Sequence, residues 1–362
     1  MLPNGSIAAP GPSEPPALRP TVLVHGLLSS PAAEHSLVVR LSSWLRDAFP
    51  SMYIKVATLE TSDRRLLQLL LGSMAPESAP TMRHHIAQVA SLLVPLDEQV
   101  SKLCAELAAD PALARGFNLL AHSQGALVAR GFVQRCGAPR VHNFVSIAAP
   151  HAGIFGVPWY SGEPRSLRAT ALAVLDHLAS RHFNSPQLHR RLSFAQYWKD
   201  PFNLSAYYGS PSFLRDLNNE GPAPDPLYRK RLTALNALVL VGFTDDEVLV
   251  PRESATFSFY RENSSEELTP LRASRLYTAD LIGLRELDAR GTLHEVWESG
   301  CNHSGPSRAF VSRALFPHLN NSLPYSHPHA TARRLRPLVQ RAWSVLRPHD
   351  DRHRVDASSD EP

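Results

Sequence analysis

The sequence predicts an α/β protein with a mostly parallel central sheet and helices on both faces. Short apolar runs at residues 21–24, 52–59, 117–121, 141–148 and 238–243 have the length of buried strands. Segments with helical spacing separate most of these runs, and this alternation is typical of a parallel sheet that is covered on both faces. The composition agrees, because 43% hydrophobic residues can form a sizeable core.

The elements follow in order along the chain. The strand at 21–24 runs into a glycine-containing loop, His25-Gly26-Leu27, and apolar residues at helical spacing predict a helix over 36–49. After the strand at 52–59, a long helix is predicted over 82–108, where apolar residues recur about every 3.6 positions. The strand at 117–121 is followed by a helix over 125–136 and by the strand at 141–148.

Three parts of the chain depart from this rhythm. Residues 1–19 are rich in proline and small residues and are predicted to be a disordered leader before a domain at 20–320. Within that domain, residues 151–235 gather Pro, Tyr, Trp and Phe, which favours a helical insertion in the position of a lid. Residues 321–362 are predicted to be a basic tail, partly helical and then disordered. The tail helix either docks on the domain, the preferred interpretation, or contacts an anionic membrane surface.

Composition and charge exclude several classes of function. The net charge of +4 is too small to indicate nucleic-acid binding. The three cysteines have no metal-binding spacing, so no metal is expected. No apolar run reaches the roughly 18 residues of a spanning helix. The N-terminus also lacks the pattern of a signal peptide, so the protein is either cytoplasmic or lacks a leader in this sequence.

The pentapeptide Ala121-His122-Ser123-Gln124-Gly125 indicates a nucleophile elbow, the serine turn of the α/β-hydrolase fold. Small residues flank the serine because the turn brings them against neighbouring backbone, and alanine is the next smallest after glycine. An apolar strand precedes the motif and an apolar helix follows it, as the elbow requires. Ser123 is therefore the predicted nucleophile. The backbone N–H groups of Gln124 and Leu27 are the predicted oxyanion donors.

The acid of a catalytic triad is expected just beyond a late strand of this fold. The strand at 238–243 is followed directly by Thr244-Asp245-Asp246-Glu247. Thr244 and Asp245 suit the start of a turn, which favours Asp246 as the acid. Asp245 stays open as the alternative, since the sequence hardly separates the two.

The base must follow the acid in a loop that can reach the elbow. His303 lies in a glycine-bounded loop at 299–305, directly after a strand-like run at 292–297, and is the predicted base. His294 falls inside that run, where a structural histidine is the commoner outcome. His25 is interpreted as supporting its own turn. The remaining candidates, His318, His327, His329, His349 and His353, lie mostly in or near the polar tail.

These roles predict a cofactor-free mechanism. His303 removes the proton of Ser123, Asp246 orients the imidazole, and an acyl-serine forms and is hydrolysed by water.

Several segments resemble the palmitoyl-protein thioesterases, lysosomal α/β-hydrolases that remove fatty acyl groups from cysteines. The resemblance runs from about residue 21 to 316 and is most specific at 151–158 and at Tyr197-Trp198-Lys199-Asp200-Pro201. It implies a triad of Ser123, Asp246 and His303, and a disulfide between Cys104 and Cys136. The chain departs from the family in having Ala121 where the elbow usually has glycine, and in showing no secretory leader.

The resemblance also implies substrates and a compartment. S-acylated proteins or peptides, and acyl-CoA, are the expected substrates of a protein that acts as a monomer. A retained cysteine pair fits an oxidising compartment. Sequons at Asn203, Asn263 and Asn320 are compatible with the lysosome or secretory pathway, with the cytoplasm as the alternative.

The insertion carries apolar side chains that suit a lipid substrate. As a group these residues could line a groove for a long acyl chain, although each singly is more typical of lid core: Phe155, Trp159, Leu172, Leu175, Phe194 and Trp198. A lipase acting on oxygen esters is the alternative function. An inactive hydrolase fold that serves as a binding module is a third, against which the retained triad argues.

Overall fold

The computed structural model describes residues 18–27, 36–58, 91–156, 185–303 and 305–320. Its strands are β1 Thr21–Val24, β2 Ile54–Val56, β3 Phe117–His122, β4 Val141–Ile147, β5 Ala237–Phe243, β6 Phe259–Tyr260, β7 Leu268–Thr269 and β8 Leu293–Glu298. Its helices are α1 Leu37–Ala48, α2 Leu96–Ala108, α3 Gln124–Arg135, α4 Pro186–His189, α5 Leu204–Gly209, α6 Phe213–Leu217, α7 Pro226–Leu232, α8 Arg275–Thr278, α9 Leu284–Ala289, α10 Arg308–Phe310 and α11 Phe316–Leu319. A π-helical turn, Val311–Leu315, joins the last two helices.

The central sheet has six strands in the order β2-β1-β3-β4-β5-β8, and every neighbouring pair is parallel. A parallel pair cannot be joined by a hairpin, so each connection crosses a face of the sheet and covers it. The predicted α/β class with a parallel central sheet is therefore confirmed. The remaining two strands, β6 and β7, form a separate antiparallel pair.

Both faces of the sheet are buried at its centre, which explains why β1 and β5 are almost uniformly apolar. Along β1, Leu23 belongs to one core cluster while Val22 and Val24 belong to the other. One cluster contains residues of α1 and of the C-terminal helical segment at 308–319, and the other contains residues of α2 and α3.

The register aligns the carboxyl ends of the strands at one edge. Val24 of β1 lies beside Ala121 of β3, and Phe243 of β5 lies beside Glu298 of β8. The loops that follow these four strands therefore leave the sheet along the same edge. They carry the residues predicted for the site, which is the arrangement expected where ligands bind to open parallel sheets.

Helix α2 is shorter than the sequence pattern predicts. It begins at Leu96, preceded by Pro95 as its N-cap, and residues 91–93 are helical but separate from it. Proline lacks the N–H that an interior helical position donates and disfavours helical backbone at the residue before it. The apolar period continues across this break, so periodicity alone overestimates the length of the helix. Residues 82–90 lie outside the described ranges.

Of the residues predicted to form an insertion, 151–156 and 185–235 are described, and 185–235 consist mainly of short helices. Asn203, Ser212 and Asp225 each cap one of them by accepting a hydrogen bond from a backbone N–H in its first turn. Trp159, Leu172 and Leu175 lie outside the described residues, as do most of the predicted leader and the whole tail. Among the helices that the structure describes, none has the length and apolar character needed to cross a membrane.

Candidate active site

Ser123 occupies the turn between β3 and α3 in an unusual backbone conformation, with φ of 56° and ψ of −135°. A non-glycine residue held at positive φ costs on the order of 1–3 kcal/mol, and such strain concentrates at functional sites. The Ser123 N–H donates to the carbonyl of Ile147 at 2.8 Å, which ties the turn to β4. The surrounding sheet thus supports the strained residue and presents its hydroxyl at the sheet edge.

Two glycines let the loop after β1 approach the elbow closely. A Cβ placed on Gly125 would lie 2.1 Å from the carbonyl oxygen of His25, and one on Gly26 would lie 2.9 Å from Cβ of Ser123. The backbone of residues 25–26 therefore packs directly against the serine turn, with Leu27 as the next residue. Gln124 is the first residue of α3, where backbone N–H groups point out of the helix end. The two predicted oxyanion donors thus lie on the two segments that meet at Ser123.

The residues predicted as nucleophile, base and acid lie in one hydrogen-bonded chain. His303 Nε2 is 3.0 Å from Ser123 Oγ, and His303 Nδ1 is 2.7 Å from Asp246 Oδ2. The Asp246 side chain is 1% exposed and that of His303 12% exposed, so the chain runs from the interior toward the surface. The second carboxylate oxygen, Oδ1, accepts the N–H groups of Val248 and Leu249, each at 2.9 Å. These bonds fix the carboxylate so that Oδ2 faces the imidazole.

The alternatives left open by the sequence occupy other positions. Asp245 is exposed, and its Oδ1 accepts the hydroxyl hydrogen of Thr244 at 2.8 Å. Nδ1 of His25 lies 3.0 Å from the carbonyl oxygen of Gly26, and burial lowers the pKa of this histidine. The ring of His294 packs 5.0 Å from that of His318. His327, His329, His349 and His353 lie outside the described residues.

Sequence reasoning missed the role of the Gln124 side chain. This buried amide donates from Nε2 to the carbonyl of Ser91 at 2.8 Å. Its Oε1 lies 3.0 Å from the Tyr197 hydroxyl and 2.8 Å from that of Ser193, both in the insertion. The residue that carries a predicted oxyanion donor is therefore anchored to the insertion. The long amide side chain directly after the serine was the one signal in the sequence.

A cluster of aromatic rings lies beside the loop that carries Asp246. The N–H of Phe155 donates to the carbonyl of Val250, and the Phe155 ring packs against those of Trp198, Phe202 and Tyr260 at centroid distances of 5.4, 5.8 and 6.5 Å. Phe202 is 54% exposed, so the cluster reaches the surface. Phe194 is partly buried and packs against the core.

The cysteines fall into a bonded pair and a free thiol. Cys104 of α2 and Cys136, just after α3, form a disulfide, which confirms the pairing implied by the family resemblance. It links the helix before the elbow strand to the helix that follows the elbow. Cys301 is free and buried, and burial raises the pKa of its thiol to about 12.

Within the described ranges, no three His, Cys, Asp or Glu side chains converge in a group that could hold a metal ion.

The site presents a hydroxyl, an imidazole that can accept its proton, and a carboxylate that orients the imidazole. Leu27 and Gln124, the predicted oxyanion donors, lie on the two segments that pack together at Ser123. A nucleophilic hydroxyl, a general base and a carboxylate that orients the base are the groups that nucleophilic acyl transfer requires.

Comparison with known proteins shows similarity over most of the chain. A family model described as palmitoyl protein thioesterase matches residues 20–303. Palmitoyl-protein thioesterase 3 of Dictyostelium discoideum is 32% identical over 309 residues, which cover 85% of this chain and 92% of that protein. Palmitoyl-protein thioesterase 1 of Caenorhabditis elegans is 35% identical over 55% of this chain and 64% of its own length. Human lysosomal thioesterase PPT2 is 26% identical over 84% of this chain and 88% of its own length. Because the family model spans most of the chain, from the residue before β1 to His303, the chain belongs to the palmitoyl-protein thioesterase family.

Proposed function

We propose that this protein is a serine hydrolase that cleaves long-chain fatty acyl thioesters and so removes palmitoyl-type groups from S-acylated proteins or peptides. The observation that carries the proposal is the continuous chain from Ser123 Oγ through His303 to Asp246 in a member of this family. Acyl-CoA is a second substrate of the same chemistry.

The first half of the reaction transfers the acyl group to the enzyme. His303 Nε2 takes the proton of Ser123 as Oγ attacks the thioester carbonyl. The imidazolium that forms is oriented and stabilised by Asp246 Oδ2, 2.7 Å from Nδ1. The carbonyl oxygen gains negative charge, which the N–H groups of Gln124 and Leu27 stabilise. The C–S bond then breaks, and the thiolate leaves with the proton from His303.

The second half returns the enzyme to its starting state. His303 removes a proton from water, and the resulting hydroxide attacks the acyl-serine carbonyl. Collapse of the tetrahedral species breaks the bond to Ser123 Oγ, which recovers its proton from His303. The products are a free thiol and a fatty acid.

We infer that the acyl chain lies along the aromatic cluster around Phe155. This cluster adjoins the loop of Asp246 through the hydrogen bond between Phe155 and Val250. Its rings offer the apolar lining that a long hydrocarbon chain requires. In this proposal the insertion at 151–235 supplies most of the acyl-chain contacts, while the rest of the domain at 20–320 supplies the catalytic residues.

The test is a series of acyl thioesters of increasing chain length, assayed with the wild-type protein and with Ser123→Ala. We expect kcat/KM to rise with chain length, and hydrolysis to be nearly abolished in Ser123→Ala while its thermal unfolding is unchanged. His303→Ala should lose activity in the same way. A serine-directed fluorophosphonate should label the wild type and fail to label Ser123→Ala.

Two results would contradict the proposal. A preference of tenfold or more for a long-chain oxygen ester over palmitoyl-cysteine peptides and palmitoyl-CoA would indicate a lipase. Absence of both hydrolysis and fluorophosphonate labelling in the wild type would indicate a binding module that has the fold without the activity.

We further propose that the protein acts in the lysosome or the secretory pathway. A disulfide such as Cys104–Cys136 persists in oxidising compartments, and several relatives are named lysosomal thioesterases. Two sequon asparagines, Asn203 and Asn263, are exposed. Protein isolated from its own cells should contain the oxidised cysteine pair and lose mass on treatment with an endoglycosidase. A reduced pair without glycan would indicate the cytoplasm.

A further inference from the structure

His122, the residue before Ser123, is hydrogen-bonded to the backbone of His303. His122 ends β3, and its partly buried imidazole places Nε2 3.0 Å from the carbonyl oxygen of His303. The two rings lie 4.8 Å apart between centroids and are tilted by 45°. A carbonyl oxygen can only accept, so Nε2 of His122 must carry a hydrogen and donate it.

We propose that His122 is a positioning residue: its Nε2–H holds the backbone of His303 so that the His303 imidazole stays within reach of Ser123. The inference rests on the proposed role of His303 as the base. It assigns to the second residue of the elbow motif a function that the elbow itself does not need, because the turn requires small residues only at its flanks.

The loop that carries His303 is already held on the side of the acid. Gly300 N–H donates to Thr244 Oγ1 at 2.9 Å, and Asp245 N–H donates to the carbonyl of Cys301 at 3.1 Å. These bonds link residues 300–301 to the segment that carries Asp246, and so favour the 2.7 Å contact between Asp246 and His303. They do not act on the side of the nucleophile.

The hydrogen bond from His122 to the His303 carbonyl holds the loop on the side of the nucleophile. His122 lies on a central strand of the sheet, and the next residue, Ser123, is fixed to β4 through the carbonyl of Ile147. The donor and the nucleophile are therefore adjacent on one rigid segment. A bond from this segment to the His303 carbonyl fixes the distance between the imidazole and the serine hydroxyl.

Charge supports a neutral donor at this position. Burial and then the neighbouring His303 imidazole lower the pKa of His122 to about 3, and Arg40 acts in the same direction. The hydrogen bond to the His303 carbonyl and the charge of Asp246 act in the opposite direction but do not outweigh burial. His122 therefore stays uncharged while His303 becomes a cation during the reaction. A neutral ring can hold the loop without repelling the imidazolium that the mechanism creates.

The test compares two side chains of matched length. His122→Gln keeps an N–H donor that can reach the His303 carbonyl, whereas His122→Met has nearly the same shape and no donor. A misplacement of about 1 Å can cost on the order of 100-fold in rate, so we expect kcat of the Met variant to fall roughly 10- to 100-fold. KM should change less than about twofold because the acyl-chain contacts are untouched, and the Gln variant should retain kcat within about fivefold.

The outcomes separate this inference from the proposed function. If wild type shows Ser123-dependent hydrolysis and the Gln and Met variants have equal kcat, the positioning role is refuted while the proposed function stands. If wild type shows no Ser123-dependent hydrolysis, both are refuted. Thermal unfolding verifies that each variant is folded. Should the Met variant fail to fold, His122→Phe, which keeps a ring but no donor, gives the same comparison against Gln.

Discussion

Replacing Asp246 by asparagine is predicted to trap His303 in the wrong tautomer. Oδ1 of Asp246 accepts two backbone N–H groups, from Val248 and Leu249 at 2.9 Å each. In the asparagine variant the amide oxygen must occupy that position, since an NH2 group there would face two donors. The NH2 group then faces His303 Nδ1 and donates to it. The proton of the imidazole moves to Nε2, which can no longer accept the proton of Ser123.

The expected loss is about 10⁴-fold in kcat, the size found when the same substitution is made in serine protease triads. This corresponds to roughly 5 kcal/mol of transition-state stabilisation. The matched control is Asp245→Asn. Asp245 is exposed and its side chain accepts from Thr244, so its kcat should stay within about threefold of wild type.

The assay is steady-state hydrolysis of a palmitoyl thioester at saturating substrate, with thermal unfolding measured for both variants. Asp246→Asn should keep the fold, because the two backbone N–H groups keep an acceptor. If Asp245→Asn proves the more damaging of the two, or if Asp246→Asn stays within tenfold of wild type, the assignment of the acid is wrong.

Three further predictions concern stability. Opening the Cys104–Cys136 disulfide, which closes a loop with a sequence separation of 32, should cost about 3–4 kcal/mol in urea unfolding, and an unchanged midpoint would count against a stabilising role. Gly125→Ala should lower both Tm and kcat, because its Cβ would lie 2.1 Å from the carbonyl oxygen of His25. The control is Gly209→Ala, whose Cβ would meet nothing within 4 Å and which should leave both unchanged. Burial, and then the charge of Arg130, hold the pKa of His151 well below its usual 6.5. Below about pH 6.5 the unfolded chain binds a proton at His151 that the folded chain does not, so the free energy of unfolding should fall by about 1.4 kcal/mol per pH unit. His151→Gln should remove this slope from the pH dependence of urea unfolding.

The parts of the molecule that sequence predicts best are those set by local rules. The strand predicted at 238–243 is apolar throughout because both faces of a parallel sheet are buried at its centre. The elbow can be recognised from the sequence because the tight turn around Ser123 requires small residues two positions before and after it, at Ala121 and Gly125. The apolar period predicts a helix from residue 82, whereas α2 begins at Leu96, directly after the helix breaker Pro95. Periodicity reports which face is buried and does not record where a proline interrupts the backbone hydrogen bonds.

Other features depend on contacts between distant segments. Asp245 and Asp246 are adjacent and chemically identical, and only the direction of the chain after β5 turns one inward and the other outward. The bond from His122 to His303 joins residues 181 positions apart. Neither the hydrophobic period nor the spacing of residues along the chain indicates a contact between segments so far apart, and only the folded structure shows it.

The hydrogen bonds of the Gln124 side chain to Ser193 and Tyr197 connect the segment proposed to contact the acyl chain with the proposed oxyanion site. Ser193 Oγ lies 2.8 Å from both the Ser91 carbonyl and Gln124 Oε1, and its single hydrogen can serve only one of them at a time. Tyr197, whose hydroxyl has no second acceptor in this network, is therefore the steadier donor to Gln124. Both residues belong to the insertion, the part proposed to contact the acyl chain, whereas Gln124 N–H is a proposed oxyanion donor. A displacement of the insertion by substrate would thus be transmitted to the oxyanion site. Tyr197→Phe, which removes only the hydroxyl that donates to Gln124, should accordingly lower kcat more than it raises KM in steady-state thioester hydrolysis. Equal kcat in the two proteins would contradict this coupling.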